Sequence, residues 1–151
     1  MRTLEIFRRS VIVLALAAPF AAAAATVDVW KSPTCGCCAA WIAHLRTAGF
    51  SMRAHDIADP ATVRARRGVP PALASCHTAM VDGYLIEGHV PAGDLVRLLR
   101  ERPRLRGLAV PGMPPGSPGM RESTGSRAPF STLAIARDGH AQTYAMHAEV
   151  P

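Results

Sequence analysis

Residues 26–49, TVDVWKSPTCGCCAAWIAHLRTAG, predict the first strand and the first helix of the fold. The valines of TVDVWK alternate with an acidic and an aromatic residue, and this two-residue period is typical of a β-strand. From about 37 to 48 the apolar residues recur at spacings of three and four, which is the period of a helix, and Thr34 is the predicted cap. Three cysteines therefore lie where a strand passes into a helix.

Further strands and helices are predicted after this pair. They are a strand at 50–57, a short helix capped by Asp59, a hairpin of 77–81 and 84–87 around Asp82-Gly83, and a helix between Pro91 and Pro103. The order strand, helix, strand, helix, strand, strand, helix predicts a parallel pair with a right-handed crossover and an antiparallel hairpin in the same sheet. The expected fold class is α/β (α+β), thioredoxin-like, with helices flanking a mixed sheet.

The C-terminal part of the chain has a different composition. Residues 107–119, GLAVPGMPPGSPG, contain four prolines and four glycines, so we expect a loop or linker without regular structure. Residues 130–147 alternate around Asp138-Gly139 and predict a C-terminal β-hairpin. We expect residues 26–151 to form one metal-binding domain that includes this loop and hairpin.

Residues 1–25 have the pattern of a signal peptide, with three arginines, an apolar run and a string of alanines. The sequence therefore predicts export and a periplasmic location, where disulfides persist; an uncleaved membrane anchor is the less favoured alternative. Removing three arginines and Glu5 lowers the formal net charge from +6 to +4. With this charge and few aromatic residues, the mature protein is not expected to bind nucleic acid. Once the signal is removed, no stable membrane insertion is expected either.

The cysteine spacing leaves two kinds of chemistry open. Cys35 and Cys38 have the C-x-x-C spacing at a helix start, where the helix dipole favours thiolates, and this predicts a thiol-disulfide oxidoreductase. Cys37 is a third thiol that would scramble such a disulfide, whereas a soft metal gains a ligand from it. Cys76 precedes the predicted hairpin, whose turn packs against the first helix in this fold, and the segment lacks the cis-proline of redox members. We therefore expect all four sulfurs to converge.

The metal itself also has alternatives. Four thiolates can hold one tetrahedral zinc ion, although crowded cysteines suit such a site poorly. Closely spaced sulfurs that bridge suit several Cu(I) ions, because Cu(I) accepts two or three soft ligands. Copper is favoured on this ground and zinc is the less favoured metal.

Three segments together resemble the CopG-type exported copper-binding proteins of bacterial copper-resistance operons. The segments are VWKSPTCGCCAAWIAHL, SCHTAMVDGYLIEGHVPAGDLVRLL and GLAVPGMPPGSPGM. The resemblance covers nearly all of the mature chain and implies a thioredoxin-like fold whose cysteines hold copper in a multinuclear, cysteine-bridged cluster. By the family pattern, the ligands are Cys35, Cys37, Cys38 and Cys76.

Several other side chains are interpreted either as copper ligands or as structural or solvent-exposed residues. His77 is either a further copper ligand or a solvent-exposed residue at a strand end. Met113 and Met120 offer thioethers to Cu(I), but they also suit packing of the loop. His89 is expected to be structural, Trp41 to be in the core, and the remaining histidines (His44, His55, His140 and His147) to be solvated.

The expected function is that of a periplasmic copper-binding protein that buffers copper or changes its redox state, with copper ions and other envelope copper-handling proteins as partners. A turnover enzyme is not predicted. The alternative function is thiol-disulfide exchange by Cys35 and Cys38.

Overall fold

The computed structural model describes residues 24–148. The predicted signal peptide, 1–25, therefore lies almost wholly outside the described residues. Within them, no helix combines the length and the apolar character needed to cross a membrane.

Between residues 24 and 148, seven strands form one mixed sheet in the order β2-β1-β3-β4-β5-β6-β7. The strands are β1 (Thr26–Lys31), β2 (Ser51–Asp56), β3 (Thr78–Val81), β4 (Tyr84–Glu87), β5 (Gly107–Ala109), β6 (Phe130–Ile135) and β7 (Ala141–His147). The helices are α1 (Gly36–Thr47), α2 (Pro60–Arg66), α3 (Ala92–Glu101) and α4 (Arg121–Thr124), with a 3-10 turn at Pro71–Leu73.

The strand pairings confirm the predicted fold class. β1 runs parallel to β2 and antiparallel to β3, and β3 and β4 form the predicted hairpin around Asp82-Gly83. The strands β6 and β7 form an antiparallel hairpin at the C-terminal edge of the same sheet. The molecule is therefore an α+β protein with a mixed sheet, flanking helices and a C-terminal hairpin, whereas the narrower thioredoxin-like assignment stays a prediction.

The core forms between the sheet and helices α1 and α3. Val27 and Val29 alternate with more exposed residues in β1 and are fully buried, as the strand pattern predicts. Trp41 in α1 is also fully buried, and its indole Nε1 donates a hydrogen bond to the carbonyl of Val90 at 2.9 Å. In α3, Leu95 and Leu98 have no exposed surface. Each such side chain contributes about 1.5–3 kcal/mol by leaving water.

The prediction that 107–119 lacks regular structure is wrong for its first three residues. Gly107–Ala109 is the buried strand β5, which pairs parallel to β4 and antiparallel to β6. The prolines of the segment all follow residue 110, so the backbone N–H groups of 107–109 remain free to join the ladder. Because β5 bridges β4 and β6, the C-terminal hairpin is continuous with the main sheet.

Two of the four histidines predicted to be solvated are partly buried. The Nε2 atom of His147 lies 2.9 Å from Oδ2 of Asp94 in α3, and its ring stacks on Phe130, so that the end of β7 is tied to α3. His44 accepts a hydrogen bond from the backbone N–H of Ala92 at 3.1 Å, and burial lowers its pKa. His55 and His140 are exposed, as predicted.

Replacing Gly107 by Ala tests the insertion of β5. A Cβ atom at this position would lie 1.8 Å from the backbone carbonyl oxygen of Leu85, so the strand pairing must shift. We expect Gly107→Ala to lower the free energy of unfolding by about 2 kcal/mol, the usual scale of overpacking. Gly93→Ala is the matched control, because a Cβ there meets nothing within 4 Å and alanine favours the helix by up to about 1 kcal/mol. Denaturant unfolding of both variants measures the difference; equal stabilities would contradict this packing.

Candidate metal centre

The first turn of α1 carries three of the cysteines. The Cys35 residue is the N-cap, and its Sγ accepts a hydrogen bond from the backbone N–H of Cys38 at 3.3 Å. The prediction that Thr34 caps this helix is wrong by one residue. The Thr34 hydroxyl pairs with the Ser32 hydroxyl at 3.2 Å and not with the helix. A sulfur therefore sits at the positive end of the helix dipole, where thiolate character is favoured.

The register between β1 and β3 brings Cys76 to the same place. Trp30, near the end of β1, lies opposite Thr78, the first residue of β3. Cys76 comes two residues before β3, so it faces the loop that leads from β1 into α1. No cis peptide bond occurs at Cys76 or elsewhere among the described residues.

All four sulfur atoms converge, as predicted. Their Sγ atoms lie within 4.8 Å of one another. Cys35 and Cys38 are joined by a disulfide, and the Sγ of Cys37 lies 3.4 Å from that of Cys35. The Sγ of Cys76 lies 3.6 Å from Cys38 and 4.0 Å from Cys37. Cys38 is buried and the other three are partly exposed, so the cluster is reachable from solvent.

Cys76 is a free thiol of low acidity. Its burial, and then its closeness to Cys37, raise the pKa of the Cys76 thiol to about 12. Both causes disfavour a bare thiolate in this position. A soft cation would replace the proton and remove this penalty, because metal binding requires the deprotonated sulfur.

Two histidines contact Cys76, which also belongs to the cysteine cluster. The Nε2 atom of His89 lies 3.0 Å from Sγ of Cys76, and the Nδ1 atom of His77 lies 3.4 Å from it. Both imidazole rings are fully buried, and they stack with their centroids 5.3 Å apart. The ring of Trp41 covers His77 with a centroid separation of 4.3 Å. The exposed strand-end alternative for His77 is therefore wrong. His89, which the sequence predicts to be structural, also faces this sulfur directly, and its role stays a prediction.

The environment keeps both imidazoles neutral. Burial, and then the neighbouring His89, lower the pKa of His77 to about 3, while burial lowers the pKa of His89 to about 4. The Ser117 hydroxyl lies 3.4 Å from Nδ1 of His89 and donates its hydrogen to the Pro114 carbonyl at 2.7 Å, so its oxygen accepts a hydrogen bond from Nδ1–H. The lone pair of Nε2 then points at Cys76, which is the arrangement of a metal-ligating histidine.

The loop that follows β5 packs against α1. A Cβ atom on Gly119, whose φ is +92°, would lie 2.6 Å from the carbonyl oxygen of Cys37, so only glycine allows this approach. Of the two methionines, Met113 is 52% exposed and Met120 is partly buried just before α4. Their role as copper ligands stays a prediction.

The donor set suits a soft metal. Four thiol sulfurs together with two neutral imidazoles are ligands for Cu(I) or zinc, whereas hard cations prefer oxygen. The observed disulfide and the metal-binding form are alternatives, because Cys35 and Cys38 cannot be thiolates while they are bonded to each other.

The part of the chain that carries Cys76 matches a protein-family model. A family described as "Protein of unknown function, DUF411" matches residues 73–120, the range that holds Cys76, both buried histidines and the loop after β5. No curated protein matches the chain.

Two solved structures are similar over most of the chain. They are copper resistance protein copG in form 2 and in form 1, each 45% identical to this chain and covering 82% of it. The match spans 98% and 97% of those chains, with TM-scores of 0.76 and 0.74. With this identity over this length, and with the cysteine cluster in place, the chain belongs to the CopG-type family of copper resistance proteins.

Proposed function

We propose that this protein is an exported, periplasmic copper-binding protein that holds more than one Cu(I) ion between Cys35, Cys37, Cys38 and Cys76. The observation that carries the proposal is the convergence of all four sulfurs within 4.8 Å. His77 and His89 extend the donor set on the side of Cys76, and Met113 and Met120 are candidates on the loop. Copper ions, and envelope proteins that deliver or receive them, are the expected partners.

Sulfur separations alone do not choose the metal. The Sγ of Cys76 lies 3.6 and 4.0 Å from two other sulfurs. In a tetrahedral zinc site with Zn–S bonds of about 2.3 Å, two sulfur ligands lie about 3.8 Å apart, so these separations also fit zinc. Copper is favoured because the relatives are copper resistance proteins and because Cu(I) accepts bridging thiolates at low coordination number.

The disulfide supports a redox component of the function. When Cys35 and Cys38 form their disulfide, two electrons and two protons are released, which suffices to reduce two Cu(II) ions to Cu(I). The same disulfide also favours the second candidate, a thiol-disulfide oxidoreductase that uses Cys35 as the more exposed attacking thiol.

We expect reduced protein to take up more than one Cu(I) per chain under anaerobic conditions. Bridging thiolates let two ions share one sulfur, so the number of ions is not limited to one per four ligands. The measurement is a Cu(I) titration against a competing chelator, with zinc titrated in parallel. An end point at one equivalent would reject the cluster, and preference for zinc would favour a structural zinc site.

Oxidised protein should bind Cu(I) much more weakly than reduced protein. The Cys35–Cys38 disulfide removes two of the four thiolate donors. Competition titrations before and after treatment with reductant measure the difference on one preparation. Equal affinity in the two states would show that neither Cys35 nor Cys38 is a ligand.

Replacing Cys76 by Ser separates the two candidate functions. Serine is nearly isosteric, so we expect normal folding, fewer bound copper ions and loss of copper protection in cells. An oxidoreductase based on Cys35 and Cys38 would keep its disulfide exchange in this variant. Copper stoichiometry and a disulfide-reduction assay are measured on the same preparations. Full copper loading of Cys76→Ser, or catalytic disulfide reduction by both proteins, would put the oxidoreductase first.

A further inference from the structure

An ion pair between the buried Glu87 and the partly exposed Arg64 lies behind the segment that carries Cys76. Glu87, at the end of β4, has no exposed surface, and its Oε1 accepts hydrogen bonds from Nε of Arg64 at 2.9 Å and from the backbone N–H of Ser75 at 2.7 Å. Its Oε2 accepts one from the Thr78 hydroxyl at 2.6 Å. The carboxylate is thus bound from α2, from β3 and from the residue before Cys76.

The guanidinium of Arg64 also binds Ser75. It donates to the carbonyl oxygen of Ser75, so the N–H and C=O of this residue are both bound by the ion pair. From the other side, the Ser75 hydroxyl donates to the carbonyl of Gly112, and the N–H of Gly112 donates to the carbonyl of Ala74 at 2.9 Å. Residues 74–76 are therefore held between a charged pair and the loop after β5.

This segment needs such partners because it lies outside the regular ladder. The strand β3 starts at Thr78, so within the part of the chain that the structure describes Ser75 has one isolated bridge, to Gly112, in place of continuous strand pairing. Backbone groups without strand partners must be satisfied elsewhere, and a charge-assisted hydrogen bond is about twice as strong as a neutral one. Buried ion pairs add little net stability over apolar packing, so stability alone gives weak reason for one here.

We propose that the Arg64–Glu87 pair positions Cys76, holding its sulfur against Cys37 and Cys38 in the reduced protein so that copper meets a preformed fourth thiol. Only the copper-binding part of this inference rests on the proposed function, because the position of the Cys76 sulfur can be measured without metal. Neither Arg64 nor Glu87 is expected to bind copper, and both act through Ser75.

The test uses Glu87→Gln and the double variant Arg64→Met/Glu87→Gln in the chain without its signal segment. The amide that Glu87→Gln introduces can still accept from one donor, but it no longer attracts the guanidinium. In the double variant both charges are gone, so no charge is left buried and unpaired, and the fold should persist. Asp28→Asn is the matched control, since Asp28 pairs with Arg53 between β1 and β2, away from the Cys76 segment.

Native alkylation of reduced, metal-free protein by iodoacetamide, resolved for each cysteine by mass spectrometry, reports the position of Cys76. Losing one charged hydrogen bond corresponds to about a tenfold easier opening of the segment. We therefore expect the Cys76 rate, relative to Cys37 in the same molecule, to rise about tenfold in both test variants and to stay unchanged in Asp28→Asn. A merely structural role would raise all four rates together, with the ratio unchanged, and would overturn the proposal.

Cu(I) stoichiometry on the same samples keeps the two proposals apart. We expect the parent and Asp28→Asn to load fully and the test variants to lose copper bound through Cys76, while their melting temperatures stay above the assay temperature. If the parent protein binds no copper, the proposed function fails, and the alkylation ratio still decides the positioning role. Full copper loading and an unchanged ratio in Glu87→Gln and in the double variant would overturn it.

Discussion

The start of α1 and the register of β3 against β1 together decide which side chains can meet. Because Cys35 caps the helix with its sulfur, the next two cysteines fall in the first turn, around free backbone N–H groups. Because Trp30 pairs with Thr78, the residues just before β3 are brought to that helix start. A shift of one residue in this pairing would turn the side chains of β3 to the opposite face of the sheet and remove Cys76 from the cluster. The cysteine spacing in α1 has chemical meaning only in combination with this register.

Burial explains why the site suits a metal that replaces protons. Cys76 holds its proton up to a pKa of about 12, and His77 and His89 remain neutral far below neutral pH. Without metal, the interior side of the site is therefore uncharged, and this avoids the cost of isolated buried ions. A soft cation supplies the positive charge that a thiolate at Cys76 lacks, and the neutral imidazoles bind it without losing a proton. Binding should thus be coupled to proton release from the cysteines and not from the histidines.

The convergence of the cysteines was predicted from the packing of the expected fold, which brings the residues before the first hairpin to the start of α1. Local signals in the sequence were enough for β1, α1 and both hairpins, because each depends on short-range periodicity or on one turn. They failed where partners distant in the chain decide. Gly107–Ala109 becomes a strand because β4 and β6 offer it hydrogen-bonding edges, although its neighbourhood is rich in proline and glycine. His89 has no motif of its own, and its place beside Cys76 follows from the packing of β4, α3 and the loop. The one available signal was its position where β4 gives way to α3, close in space to the strand that follows Cys76.

The loop after β5 sets the hydrogen bonding of His89, although this loop is distant from the cysteines in the sequence. The hydroxyl oxygen of Ser117 accepts a hydrogen bond from Nδ1–H of His89 and leaves Nε2 to face Cys76, while Gly119 allows the loop to lie directly on the first turns of α1. Prolines restrict φ and lower the entropy of the unfolded chain, so a loop with four of them loses less freedom when it packs in this way. A more flexible loop of equal length could make the same hydrogen bond, but it would hold the histidine tautomer less firmly. Proline and glycine in this segment thus act together: proline limits the alternatives, and glycine permits the close contact with α1.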